Sequence, residues 1–129
     1  MTALLLDTGP FAMALTDDLR LPAGVRAQLE GADRVALSVI SFYEIGQKVR
    51  LGKWPAMAPF AAGLVEQARA DGFDLIPLSP AAALSAAGMD WDHRDPFDRM
   101  IAAVAQAEGL PIVSPDTAFD AIGAQRIWD

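Results

Sequence analysis

His93-Arg-Asp-Pro-Phe-Asp98-Arg-Met-Ile-Ala-Ala-Val-Ala-Gln-Ala-Glu-Gly109-Leu-Pro-Ile-Val-Ser-Pro-Asp116 combines helix grammar, strand grammar and carboxylate placement in one segment. Asp95 stands where a helix N-cap stands, Pro96 suits the first helical position, and Gly109 follows the last residue of the apolar period. These signals predict a helix of roughly 12 residues, with Asp98 in its first turn. Leu110-Pro-Ile-Val113 then reads as a short buried strand, and Asp116 comes just past its carboxyl end. The unit therefore delivers two or three carboxylates to one side.

The same alternation runs through the rest of the chain. Ala3-Leu-Leu-Leu6 is an apolar run stopped by Asp7-Thr8-Gly9-Pro10, which predicts a buried strand emptying into a tight turn with Asp7 at its tip. Phe11 to Leu15 gives one or two helical turns, Leu21-Pro22 opens a helix to about Gly31, and Arg34 to Ser38 reads as a second strand. Ser41 to Leu51 has apolar residues at helical spacing and ends near Gly52, before Trp54-Pro55. Residues 56–70 predict another amphipathic helix, closed by Asp71-Gly72. Phe73 to Leu78 is a third strand, and Ser79-Pro80 caps a short alanine helix that ends at Gly88. Residues 89–94 form a loop. Thr117 to Ala121 gives a last helical turn, and Gln125 to Trp128 a final short strand.

Strands alternating with helices predict an α/β fold: a mostly parallel central sheet of four to five short strands with helices on both faces. In such sheets the functional crevice lies beyond the carboxyl ends of the strands. Asp7 and Asp116 fall on that edge, while Glu44 and Asp98 fall in the first turns of helices entered from it.

At 129 residues the chain is one domain, large enough to bury about two-thirds of the surface its unfolded form exposes. Zero cysteines exclude a disulfide scaffold and thiolate metal sites, and the single histidine, His93, excludes a site of several imidazoles. A metal would have to be held by oxygen. The start of the chain lacks the basic region of a signal peptide, and no apolar run reaches the length of a membrane span, so a cytoplasmic protein away from membranes is expected. The net charge of -7 argues against a general electrostatic nucleic-acid binder. That objection softens if several of the acids surround a divalent cation, which supplies local positive charge.

Each acid also has a structural explanation. Asp7 could close an Asx turn with Thr8-Gly9-Pro10. Ser41 and Glu44 have capping-box spacing, and Glu44 to Lys48 is a favoured i, i+4 ion pair. Asp98 could serve the helix dipole, reciprocally capping with Asp95, and Asp116 could cap the turn after it. His93, in a polar loop, reads as solvated, although a general-base role beside Asp95 is conceivable. Lys48, Arg50, Lys53, Arg94 and Arg99 are the natural candidates for a backbone-phosphate track, or else for solvated helix faces.

Taken together the segments have a family likeness. Asp7-Thr8 after the first strand, Tyr43-Glu44-Ile45 in an early helix, Asp95-Pro-Phe-Asp98-Arg-Met-Ile-Ala-Ala opening a late helix, and Ser114-Pro-Asp116 with Phe119 after the next strand resemble the PIN-domain family. The likeness runs from Leu4 to Trp128 and is greatest to the VapC-type toxins of bacterial toxin–antitoxin pairs. It implies a single PIN-like nuclease domain over residues 1–129. Asp7, Glu44, Asp98 and Asp116 match the family's acidic quartet, which binds Mg²⁺ or Mn²⁺ and cleaves RNA. Thr8 and Ser114 match hydroxyls near that site, and Asp95 belongs to the motif as a supporting residue. Asp7, Asp98 and Asp116 would hold the metal, with Glu44 orienting or deprotonating the attacking water. The likeness also implies an RNA substrate, a cognate antitoxin and a homodimer, for which Trp54, Phe60 and Leu64, or Phe11 and Leu15, would offer apolar surface. The rival is a non-catalytic PIN-like protein-binding module whose acids serve as helix caps.

Overall fold

The computed structural model describes residues 2–129. Five strands, β1 (Ala3–Leu6), β2 (Arg34–Ser38), β3 (Asp74–Ile76), β4 (Ile112–Val113) and β5 (Arg126–Ile127), form one sheet in the order β3-β2-β1-β4-β5. Every pairing is parallel, with Leu6 opposite Leu37 on one side and Val113 on the other. The chain builds outward from β1 to β3, then crosses to the other side of β1 for β4. That reversal opens a crevice at the carboxyl ends of β1 and β4, the position where ligands enter parallel sheets.

Six α-helices cover the sheet: α1 (Thr8–Leu15), α2 (Ala23–Gly31), α3 (Ile40–Arg50), α4 (Leu64–Ala70), α5 (Pro80–Gly88) and α6 (Pro96–Glu108). The pleat divides β1, since alternate side chains point to opposite faces. Leu4 and Leu6 join Phe11, Val25, Ile45 and Leu64 in one core layer. Leu5 joins Ala82, Ile101, Val104 and Phe119 in the other. Helices therefore occupy both faces. Ala102 and Ala105 are buried in the second layer, where their small side chains let α6 lie close to its neighbours. Asp95 caps α6 through a bond from Phe97 N, and Gly109 ends it in the left-handed conformation at φ 66°.

Several elements differ from the sequence expectations. Thr8-Gly9-Pro10 is the first turn of α1 and not a separate turn: Asp7 caps the helix, and Pro10 sits where no intrahelical N–H is needed. Residues 56–70 do not form one α-helix. Pro55–Gly63 is a 3-10 helix, because Pro59 lacks the N–H that would reach the carbonyl of Pro55 and its ring clashes there; α4 starts only at Leu64. Strands β3 and β4 are shorter than the runs Phe73–Leu78 and Leu110–Val113. Phe11 and Leu64, offered as association surface, are core residues, while Trp54, Phe60 and Leu15 pack partly buried against them. No helix among the described residues is long and apolar enough to cross a membrane.

Candidate active site

Asp7 is fixed from three directions. Its backbone N–H donates to Val113 O at 3.0 Å, which pins the end of β1 to the end of β4. Its Oδ1 accepts Thr8 N–H at 2.8 Å as the cap of α1, and its Oδ2 accepts the Ser114 hydroxyl at 2.8 Å. The Ser114 oxygen in turn accepts the N–H of Asp116 at 3.0 Å. Ser114 thus links the acid after β1 to the acid after β4. Burial pushes the Asp7 carboxyl up to about 6; the Ser114 and Thr8 hydrogen bonds oppose this, and the charges of Asp98 and Glu44 add to it.

Glu44 lies in the second turn of α3, because the helix begins at Ile40, ahead of the expected start. Ser41 is consequently inside the helix, and the expected capping box does not form. Its buried hydroxyl instead bonds that of Thr8 at 2.9 Å, joining α3 to α1. Glu44 is 5% exposed. Its Oε2 accepts Lys48 Nζ at 2.6 Å, while Oε1 is buried with no partner. Burial alone would lower the Lys48 pKa, but its hydrogen bond and ion pair with Glu44 outweigh this and raise it, with the charges of Asp95 and Asp98 assisting.

Asp98, in the first turn of α6, meets His93 Nε2 through Oδ2 at 2.6 Å and does not cap reciprocally with Asp95. Burial raises the pKa of its carboxyl against the His93 hydrogen bond, and the charges of Asp95 and Glu44 raise it further. Oxygens of Asp98 and Asp116 and a ring nitrogen of His93 all lie within 4.8 Å of one another. Asp116 caps the 3-10 helix Thr117–Ile122 through Oδ1, which accepts Ala118 N–H. Asp7, Asp95 and Asp116 each give one carboxylate oxygen to a cap bond, so capping and a place in the crevice are compatible.

The fold therefore sets Asp98 and Asp116 at ligand distance with His93, and couples Asp7 and Glu44 to them through charge and through the Ser114 bridge, with Thr8, Ser114 and Asp95 as the surrounding hydrogen-bonding and charged groups. Three residues gain importance beyond the sequence reading: Ser41, the Thr8 partner; His93, the Asp98 partner; and Arg99. The Arg99 guanidinium donates to the carbonyls of Ala86, Ala87, Met89, Trp91 and His93, and so is committed to the loop before α6. A cation three residues after a proline-opened helix start is the only sequence signal for that role. Arg50, Lys53 and Arg94 are exposed, and none of them has an ion pair among the described residues.

The carboxylate set suits a hard divalent cation. A buried carboxylate oxygen without a partner at Glu44, an Asp7 carboxyl raised by burial and by its acidic neighbours, and oxygen donors around them are what such an ion would relieve.

The sequence profile described as PIN domain matches residues 4–125. No curated protein matches the chain. Among solved structures, VapBC2 from Rickettsia felis bound to a DNA fragment from their promoter contains a similar chain, at 17% identity and TM-score 0.70, covering 98% of this chain and 99% of that one. FitAcB from Neisseria gonorrhoeae gives 23% identity and TM-score 0.67 over 96% of each chain. DNA-bound VapBC from Salmonella typhimurium gives 22% identity and TM-score 0.67, covering 100% of this chain and 98% of that one.

Proposed function

The chain belongs to the PIN domain family, and on that premise we propose that it is a Mg²⁺- or Mn²⁺-dependent endoribonuclease, the toxin of a toxin–antitoxin pair. The observation that carries this reading is that carboxylate oxygens of Asp98 and Asp116 stand within 4.8 Å of one another beside His93 at the carboxyl edge of the sheet, while Asp7 and Glu44 add their charges to the same crevice, Glu44 with Oε1 buried and unpaired. Asp7, Asp98 and Asp116 would hold the cation. When bound, the ion supplies Lewis acidity toward a phosphodiester and toward water.

The residues of the chain supply the rest. Glu44 would orient or deprotonate the attacking water, with Lys48 holding its Oε2. The water oxygen bonds to phosphorus, the P–O3′ bond breaks, and the 3′-oxygen leaves with a proton from solvent. Ser114 and Thr8 N–H hold the two oxygens of Asp7 in orientation. His93 fixes Asp98 in the same way. Arg50, Lys53 and Arg94 are the cations available to RNA phosphates, whereas Lys48 is engaged by Glu44 and Arg99 shapes the loop.

The partners proposed are an RNA substrate, a cognate antitoxin that masks the site and a second copy of the chain, in the cytoplasm. The binding-module reading has one observation in its favour, since Asp7, Asp95 and Asp116 are all helix caps. It leaves Glu44 Oε1 unexplained, because that residue caps nothing and its ion pair with Lys48 engages only Oε2.

Replacing Asp7 or Asp98 by Asn tests the proposal. Both variants should keep the circular dichroism of the fold while losing Mn²⁺ binding by calorimetry and RNA cleavage. Cleavage unchanged in both would trace the activity to a contaminating nuclease and leave the binding module.

A further inference from the structure

An aromatic residue immediately precedes two of the four acids: Tyr43 before Glu44 and Phe97 before Asp98. The two rings meet across α3 and α6, with centroids 5.8 Å apart and planes inclined by 45°. Successive helical residues are turned about 100° from one another. Glu44 therefore points inward at 5% exposure, while Tyr43 points outward at 63%. The other exposed large apolar side chains among the described residues, Leu19, Leu51 and Leu84, are aliphatic.

The rest of that helix face is open and then basic. Gly46, three residues on, has no side chain to lie over the ring, and a Cβ built there would meet nothing within 4 Å. Gln47 and the exposed Arg50 continue the stripe at i+4 and i+7.

We propose that Tyr43, backed by Phe97, is a stacking platform for a nucleobase of single-stranded RNA beside the acidic crevice, with Arg50 following the strand along α3. The proposal rests on the nuclease reading and adds the element that positions the substrate. A protein with a net charge of -7 repels a polyanion at long range. A neutral π face avoids that opposition, and every base offers a matching face, so stacking binds a single strand whatever its sequence. Two rings bordered by a glycine, a glutamine and an arginine suit a base better than a protein partner, which would bury a broader apolar patch.

Two measurements on short single-stranded RNA test this. In cleavage assays, Tyr43→Ala and Tyr43→Leu should raise KM about tenfold while kcat stays within about twofold, because a stack present in both ground and transition states contributes uniform binding; Tyr43→Phe should match wild type. In the cleavage-deficient Asp7→Asn background, a 2-aminopurine-substituted RNA should be quenched on binding, and Tyr43→Ala should abolish the quenching. Wild-type cleavage with KM and quenching unaffected by Tyr43→Ala would overturn the platform and leave the nuclease reading standing. Absent cleavage with quenching that still depends on Tyr43 would do the reverse. If neither cleavage nor quenching occurs, both fall. Unchanged quenching with weakened binding of a cognate partner protein would assign the ring to a protein contact, again overturning the platform.

Discussion

The Ser114 hydroxyl donates to Asp7 Oδ2 across 2.8 Å, joining residues 107 positions apart in the chain. The bond favours the ionised form of Asp7 against the burial that disfavours it. Ser114→Ala should therefore raise the Asp7 pKa above its already elevated value and weaken Mn²⁺ binding at neutral pH, where protons compete for the carboxylate. It should cost about 1–2 kcal/mol of stability, because Asp7 Oδ2 and Asp116 N–H both lose a partner. Calorimetric Mn²⁺ titrations at pH 6 and pH 8 would check this: the defect should shrink at the higher pH, and a pH-independent defect would contradict it.

The Asp7 carboxyl itself makes metal-free stability depend on pH. Its pKa in the fold is about 6, raised from the ordinary 3.8 by burial first and neighbouring acids second. The folded state therefore holds its proton more tightly than the unfolded chain does. The stability that Asp7 contributes is fully present below its unfolded pKa and is lost as pH rises through the interval up to about 6, by at most about 3 kcal/mol. In chelator, the Tm of wild type should fall relative to that of Asp7→Asn across that interval, and Asp7→Asn, which keeps the cap but not the charge, should be more stable than wild type at pH 7. Saturating Mn²⁺ should flatten the wild-type profile. A flat profile in chelator would remove the electrostatic tension proposed for the crevice.

Much of this arrangement was legible because local chemistry repeats the global plan. Asp95-Pro96 and Gly109 bracket α6 by their own backbone preferences, and the alternation of strand and helix signals is enough for a parallel sheet. What escaped depends on contacts between distant segments. Ser41 has the spacing of a capping box, yet α3 starts ahead of it and its hydroxyl meets Thr8. His93 reads as a solvated loop residue until the loop folds back over the start of α6. In residues 56–70 the apolar spacing suggested one helix, but the backbone restriction of Pro59 prevailed.

Arg99 separates a structural cation from those proposed to contact RNA. Its planar fork reaches five carbonyls, which the single ammonium of lysine cannot reproduce. Arg99→Lys should lower stability by about 2 kcal/mol or more and speed proteolysis within residues 86–94. Arg50→Ala and Lys53→Ala should leave Tm nearly unchanged and reduce the salt dependence of RNA binding, each by up to about one phosphate contact. If Arg99→Lys changed the salt slope and left Tm unaltered, its loop role would be wrong.

Glu44 and Lys48 are coupled at 2.6 Å, with side-chain exposures of 7% and 39%. Lys48→Met strands a buried carboxylate whose other oxygen already lacks a partner, and should cost about 2 kcal/mol, less than for a fully buried pair because Lys48 is partly in water. Changing both residues, Glu44→Leu with Lys48→Met, should recover much of that stability while leaving the protein inactive, since the penalty comes from the unpaired charge. Glu44→Gln preserves shape and removes the proton acceptor, so cleavage should fall on the order of 10²- to 10⁴-fold while Mn²⁺ still binds. Urea unfolding of the three variants, set beside their cleavage rates, separates the two roles of the pair. Glu44→Gln with wild-type rates would exclude Glu44 as the base, whatever its contribution to folding.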